Sequence, residues 1–154
     1  MDDNIELRRA GLEDAAAIRQ LTRDAYTKWI PVTGREPRPM TADYDAAVRN
    51  HRFDLLYVDG VLAALIETID EPGELHVENL AVSPAFQGKG LGCRLMALAE
   101  GIARSLGHSR VGLCTNGRWT ENLSFYAKRG YRVESEEDVD GGMFRVNMSK
   151  AVEE

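Results

Sequence analysis

Cysteine is scarce in this chain. Cys93 and Cys114 are the two among 154 residues. Two thiols build no disulfide framework, and no Cys-x-x-Cys pair or histidine cluster stands near them, so no metal site is indicated. Long hydrophobic runs are absent too. No apolar stretch reaches the length that crosses a bilayer, and the opening Met1-Asp2-Asp3-Asn4 is acidic rather than leader-like. These absences set a cytoplasmic location, away from membranes, as the expectation. An excess of basic charge is missing as well. The formal net charge of −6 argues against a nucleic-acid partner. It mildly favours a cationic substrate.

Proline is limited to five residues: Pro31, Pro37, Pro39, Pro72 and Pro84. They serve as punctuation for an otherwise periodic chain. A hydrophobic share of 44% and a charged share of 29% suit one globular domain over residues 1–154. Ile5-Glu6-Leu7-Arg8 alternates and predicts a first strand. Ile18, Leu21, Ala25 and Trp29 recur at helical spacing within 13–29. Pro31, Gly34, Pro37 and Pro39 predict a loop over 30–40, and Thr41 can cap a short helix at 42–50. Strands at 53–58 and 61–68 flank Asp59-Gly60, a hairpin turn signal. Glu71-Pro72-Gly73 turns the chain into a strand at 74–82. Apolar residues at 91, 95, 98, 102 and 106 then mark a long helix that Gly107 stops. A strand at 110–114, a helix at 121–129 capped by Thr120, and strands at 131–134 and 143–148 complete the chain, with an acidic loop at 135–141. The order is β-α-α-β-β-β-α-β-α-β-β, which fits one α+β layered structure.

The central stretch is Leu80-Ala81-Val82-Ser83-Pro84-Ala85-Phe86-Gln87-Gly88-Lys89-Gly90-Leu91-Gly92. A strand ends at Ser83-Pro84 because proline lacks an N–H and holds its predecessor extended. Three glycines in five residues then open a helix. A helix mouth offers unpaired N–H groups and partial positive charge, and glycine lets an anion approach the backbone closely. The turn is therefore a candidate phosphate or pyrophosphate cradle. It is not a P-loop, since Lys89 is followed by Gly90 instead of Ser or Thr. Nor is it the dinucleotide fingerprint, since counting from Gly88 the third glycine is replaced by Cys93. A glycine-rich helix start without a ligand is the bland alternative.

Gln87-x-x-Gly90-x-Gly92 after Leu80-Ala81-Val82 resembles the pyrophosphate-binding motif of the GNAT superfamily of acyl-CoA-dependent N-acyltransferases. Asn122-Leu123-Ser124-Phe125-Tyr126-Ala127-Lys128-Arg129-Gly130-Tyr131 resembles that family's other motif, about thirty residues on. The resemblance spans roughly residues 55–135; the N-terminal part follows only the element order. It implies a GNAT-like α+β fold, with a central mixed, mostly antiparallel twisted sheet of about seven strands flanked by about four helices. It implies acetyl-CoA as co-substrate and an amine as acceptor. The pantetheine arm would pair with Leu80, Ala81 and Val82 like an added strand, and Asn122 would help hold it. The pyrophosphate would rest on the amides of Gln87, Gly88, Lys89, Gly90, Leu91 and Gly92. Lys89 reads equally as a phosphate contact or a solvated loop lysine. Relatives often pair through their late strands, so a homodimer is the expectation.

Acyl transfer from a thioester to an amine has three needs. The amine, with a pKa near ~10, must lose its proton, which at neutral pH is about 4 kcal/mol of work. The oxyanion needs donors. The thiolate must leave, which it does readily, so an acid adds less. Tyr126 matches the tyrosine that in many relatives lies near the CoA sulfur as general acid; its other reading is an apolar face residue. His76 and Glu78, two apart on one strand, are predicted to share a face with Leu80 and Val82 and to supply the base, directly or through water. In some relatives a glutamate stands at the position of His76. Each also reads as an ordinary strand residue. Cys114 faces the same cleft but has no base beside it in sequence, which disfavours an acyl-cysteine route. Cys93 is expected to be packed. The acceptor pocket is expected from residues 26–45, among Tyr26, Trp29, Pro31, Pro37, Met40 and Tyr44; a small core under the loop is the alternative. The acceptor expected is a small primary amine or amino-acid derivative, then a protein amino group. A CoA-binding sensor without turnover and a nucleotide-binding protein are the competing classes.

Overall fold

The computed structural model describes residues 4–139 and 143–152. Residues 1–3, part of the acidic start, and residues 140–141, the end of the expected acidic loop, lie outside the described residues. Seven strands form one sheet: β1 (Ile5–Arg9), β2 (Arg52–Val58), β3 (Val61–Glu71), β4 (Glu74–Val82), β5 (Arg110–Asn116), β6 (Arg132–Val139) and β7 (Met143–Ala151). Their order across the sheet is β1-β2-β3-β4-β5-β7-β6. Every pairing is antiparallel except β4 with β5. Four helices of seven residues or more are described: α1 (Ala15–Tyr26), α4 (Tyr44–Asn50), α5 (Leu91–Ser105) and α6 (Thr120–Lys128). Two four-residue helices, α2 (Ile30–Thr33) and α3 (Arg38–Thr41), stand where the prolines predict a loop. Both carry proline in the first turn, where its missing N–H costs nothing.

The strands alternate their side chains between two cores. Leu56, Ala64 and Ile66 meet Leu95, Met96 and Ala99 of α5 on one face. Leu55 and Leu65 meet Ile18 and Leu21 of α1, with Tyr44 of α4, on the other. Three local readings change. Asp43, not Thr41, caps α4, accepting from Ala46 N at 3.2 Å. Trp119 holds the N-cap position of α6, and Thr120 is its first helical residue. Residues 135–139 continue β6 instead of looping. That strand is exposed almost throughout, so no apolar alternation announces it. Side chains of β7 hold it instead, with Asn147 Nδ2 donating to Ser135 Oγ at 2.9 Å and Ser149 Oγ to Glu134 Oε1 at 2.7 Å.

Two irregularities place the site. First, β4 and β5 pair only at Leu75–Val111, His76–Gly112 and Val77–Leu113. Beyond those residues the strands part, and a gap opens in the middle of the sheet. Second, Glu67 lies opposite Asn79 and Thr68 opposite Val77, so Glu78 has no partner on β3. One inserted residue reverses the side-chain alternation. Leu75 and Val77 therefore face the α5 core before the bulge, and Leu80 and Val82 pack against it afterwards.

Candidate active site

The gap is lined by backbone that has lost its neighbour. Ser83 N–H donates to Ala63 O at 2.8 Å, which makes 63 with 83 and 65 with 81 the bonded pairs of the β3–β4 ladder. The N–H and C=O groups of Leu80 and Val82 must then turn away from β3, into the gap. Two side chains cap the carbonyls. Gln87 Nε2 donates to Val82 O at 3.1 Å, and Tyr26 Oη stands 3.4 Å from Leu80 O.

A cleft of about 420 Å³ begins there. It collects Leu80, Ala81, Val82, Gln87, Gly88, Gly90, Leu91, Gly92, Asn122 and Tyr126 from the two motifs. Gly88 and Gly90 hold φ of +80° and +82°, the left-handed region where a side chain is strained. The first bond inside α5 runs from Arg94 N to Gly90 O at 3.2 Å, so the amides just before it face outward at the helix mouth. Gly92 lets α6 come close: a Cβ there would sit 3.1 Å from Phe125 Cζ. Lys89 is not among the lining residues; its ammonium lies over the Phe86 ring, 5.5 Å from the centroid.

Two cations in this cleft escape the sequence reading. Lys28 reaches Gln87 Oε1 at 3.4 Å, and Arg129 stacks on Phe125 at 3.8 Å while donating to Phe125 O at 2.6 Å. Arg129 also donates to Cys93 Sγ through Nε at 3.0 Å. Cys93, expected to be packed, lines the cleft. The available signal for Arg129 is its i+4 spacing from Phe125, which puts both on one helix face. Lys28 has none, since the 3-10 turn Thr27–Trp29 that follows α1 meets the helix mouth only in the folded chain.

A second cleft, of about 280 Å³, lies across the gap. His76, Glu78, Cys114, Arg38 and Arg145 line it. Tyr26, Leu80, Asn122 and Tyr126 line both clefts, so the two meet there. Tyr126 is 7% exposed, and burial pushes its phenol above its usual range, which keeps it protonated at neutral pH. Tyr26 is likewise pushed up by burial and donates to Asn79 Oδ1 at 2.8 Å.

His76 and Glu78 share a face as predicted, with Nε2 3.4 Å from Oε2. The face is not that of the Leu80 and Val82 side chains, because the bulge at Glu78 separates them. His76 also lies 3.7 Å from Glu74 and 3.9 Å from Glu71. Contact with the Cys114 sulfur and then with Glu78 raises His76 to about 10, against the cost of burial. Glu78 is lowered, first by its bond to His76. At neutral pH the two are an imidazolium and a carboxylate. Cys114 thus does have an imidazole beside it, supplied by the neighbouring strand. Of the acceptor residues expected in 26–45, Tyr26 lines both clefts and Trp29 the first, while Met40 and Tyr44 are buried in the α1 core. Arg35, Arg38 and Pro39 stand at the second cleft instead.

A sheet parted at β4 and β5, with a glycine helix mouth beside the parting, is the architecture of the GNAT fold. The profile of the acetyltransferase (GNAT) family matches residues 15–131, and the chain belongs to that family. Mouse N-alpha-acetyltransferase 80 is 38% identical over 71 residues, a match spanning 46% of this chain and 21% of that protein. Two solved structures share the fold. The ribosomal-protein-S18-alanine N-acetyltransferase of Escherichia coli is 16% identical, with 98% of this chain and 96% of that one covered and a TM-score of 0.79. The Paia N-acetyltransferase of Thermoplasma acidophilum, in complex with coenzyme A, is 22% identical, with 96% and 99% covered and a TM-score of 0.74. No helix among the described residues is long and apolar enough to cross a membrane.

Proposed function

We propose that this chain is an N-acetyltransferase that passes the acetyl group of acetyl-CoA to a primary amine of a small molecule or amino-acid derivative. Attack is direct, with both substrates bound together. The observation that carries the reading is the meeting of two clefts at Tyr26, Leu80, Asn122 and Tyr126. One holds the donor and the other the acceptor, and the gap is where they touch.

The first cleft fits the coenzyme. Amides of 87–92 at the mouth of α5 receive its diphosphate. Lys28 and Arg129 add charge beside it. The N–H groups of Leu80 and Val82, turned into the gap, receive the pantetheine arm, and Asn122 steadies it. The bound acetyl-CoA supplies the thioester. Tyr126, protonated, donates to the departing sulfur. Glu78, ionised, orients the acceptor's ammonium and takes its proton, directly or through water. His76, already charged, positions Glu78 and is no base at neutral pH.

Acetyl-CoA with a broad amine panel, read by thiol release, tests this function. Amine-dependent release is expected. Coenzyme binding without release from any amine would leave a CoA-binding sensor. Intact mass after incubation with acetyl-CoA alone checks direct attack: no acetyl group is expected on the protein, and one on Cys114 would move the mechanism to a covalent route.

A further inference from the structure

The second cleft is rich in donors and poor in acids. Arg35, Arg38 and Arg145 line it, and Glu78 is its one acidic residue among those described. The arginines come from distant parts of the chain: Arg35 precedes α3, Arg38 begins it, and Arg145 lies on β7. Some of this charge has partners. Arg145 Nη1 is 3.8 Å from Glu137, both side chains being partly exposed, and Arg35 Nη2 reaches Met143 Sδ at 3.9 Å. Beside His76, Glu71 and Glu74 add negative charge from outside the cleft lining. The lining itself keeps a cationic excess.

A second observation is independent of charge. Thr115 Oγ1 and Trp119 Nε1 are buried polar atoms without a hydrogen-bond partner, and both residues line this cleft. Each residue is 8% exposed. An indole N–H can only donate, and a buried donor left unmade is costly. Trp119 is also fixed in place, stacked on Trp29 at 5.2 Å and edge-on to Tyr26 at 5.9 Å. Unpartnered donors that line one cleft with planar guanidinium forks suit a ligand with two acceptor oxygens in one plane.

Resting on the acetyltransferase reading, we infer that the acceptor of this chain is a primary amine that carries a carboxylate, received by the arginines and Trp119 while Glu78 receives the ammonium. The site then reads both ends of a dipolar molecule. Glu78 sits in the β4 bulge, and Arg145 and Arg38 line the same cleft from β7 and α3. A free amino acid and a peptide with an acidic first residue offer the same chemistry.

The test uses the full chain with acetyl-CoA and matched acceptors. Glutamate and aspartate are compared with glutaminamide and asparaginamide, in which both carboxylates are neutral amides, and with propylamine and ethylamine, which lack both. Dipeptide amides beginning with Glu or Asp are compared with dipeptide amides beginning with Gln or Asn. The carboxylate-bearing member of a pair is expected to have a kcat/KM about tenfold or more above its neutral match. The pair that shows the difference tells the free amino acid from the peptide. Arg38→Gln and Arg145→Gln should each shrink that ratio, mainly through KM, and Arg145→Lys should restore part of it. Equal turnover of neutral and carboxylate-bearing amines overturns the inference and leaves the acetyltransferase standing. A ratio unchanged in both folded glutamine variants overturns it too. If no amine is turned over, tryptophan fluorescence of the CoA-saturated protein still decides. A saturable change with glutamate or the dipeptide amide Glu-Gln-NH2, absent with their neutral matches, supports the inference, and no change defeats it.

Discussion

At the scale of single residues, the site depends on protonation states that burial and neighbours impose. Tyr126 is protonated because its ring is sealed between the α5 core and the gap. Tyr126→Phe keeps the packing and removes the donor. We expect kcat to fall by about tenfold to a hundredfold with a smaller change in KM, measured by thiol release. An unchanged kcat would leave Tyr126 a packing residue. His76 makes a prediction with a sign. Its ordinary value of 6.5 rises to about 10 in the fold. Below 6.5 both folded and unfolded chains hold the proton, and the stabilisation is complete. Between 6.5 and about 10 only the folded chain holds it, so stability declines as pH rises through that window. Glu78 runs the other way: its contribution is present above its ordinary value of 4.5 and fades as the pH falls. His76→Gln should flatten the alkaline decline of Tm between pH 6.5 and about 10. A decline as steep as that of the parent chain would show that the imidazolium is not what stabilises this end of β4.

At the scale of elements, function rests on two departures from regularity. The bulge at Glu78 lets β4 serve two masters: Asn79 and Ala81 face α1, while the backbone of Leu80 and Val82 faces the gap. Asn79 locks this arrangement from within, its Nδ2 donating to Thr22 Oγ1 at 3.2 Å and to Tyr44 Oη at 3.3 Å. The other departure is the left-handed backbone at the mouth of α5. A Cβ at Gly90 would meet no heavy atom within 4 Å, so its requirement for glycine is conformational, not steric. Gly90→Ala should cost about 1–2 kcal/mol of stability through the backbone alone. Gly90→Glu adds a carboxylate at the proposed diphosphate site and should abolish CoA binding by calorimetry. The alanine variant separates strain from charge. Near-normal CoA affinity in a folded Gly90→Glu protein would place the diphosphate elsewhere.

At the scale of the whole molecule, β6 is an exposed edge of the sheet. Glu134, Glu136, Glu137 and Asp138 line it, the kind of charge that keeps sheet edges from pairing. Two copies joined through their late strands, the homodimer expected from the resemblance, would set acid against acid. Sedimentation should therefore show a dimer favoured by salt, since charges are screened over about 10 Å at 0.1 M. A dimer that salt weakens would use another surface. The same scale separates what the chain spells out from what folding adds. The elements with a buried stripe, α1, β2 to β5 and α5, can be read from the residues alone, because one-sided burial writes a period of two or 3.6 into them. The strand, glycine turn and helix mouth of the first cleft were legible too, since they are contiguous in the chain. The second part of β6, residues 135–139, stayed illegible because neither face is buried, and the cap of α4 because Thr41 and Asp43 offer the same chemistry two residues apart. Only the tertiary structure decided the rest. The bulge exists through the register of β4 on β3, and it moved Leu80 and Val82 off the face of His76. His76 met Cys114, and Arg38 and Arg145 came to line one cleft, from strands and helices far apart in sequence. Periodicity records which side of an element is buried; it does not record which distant element arrives to bury it.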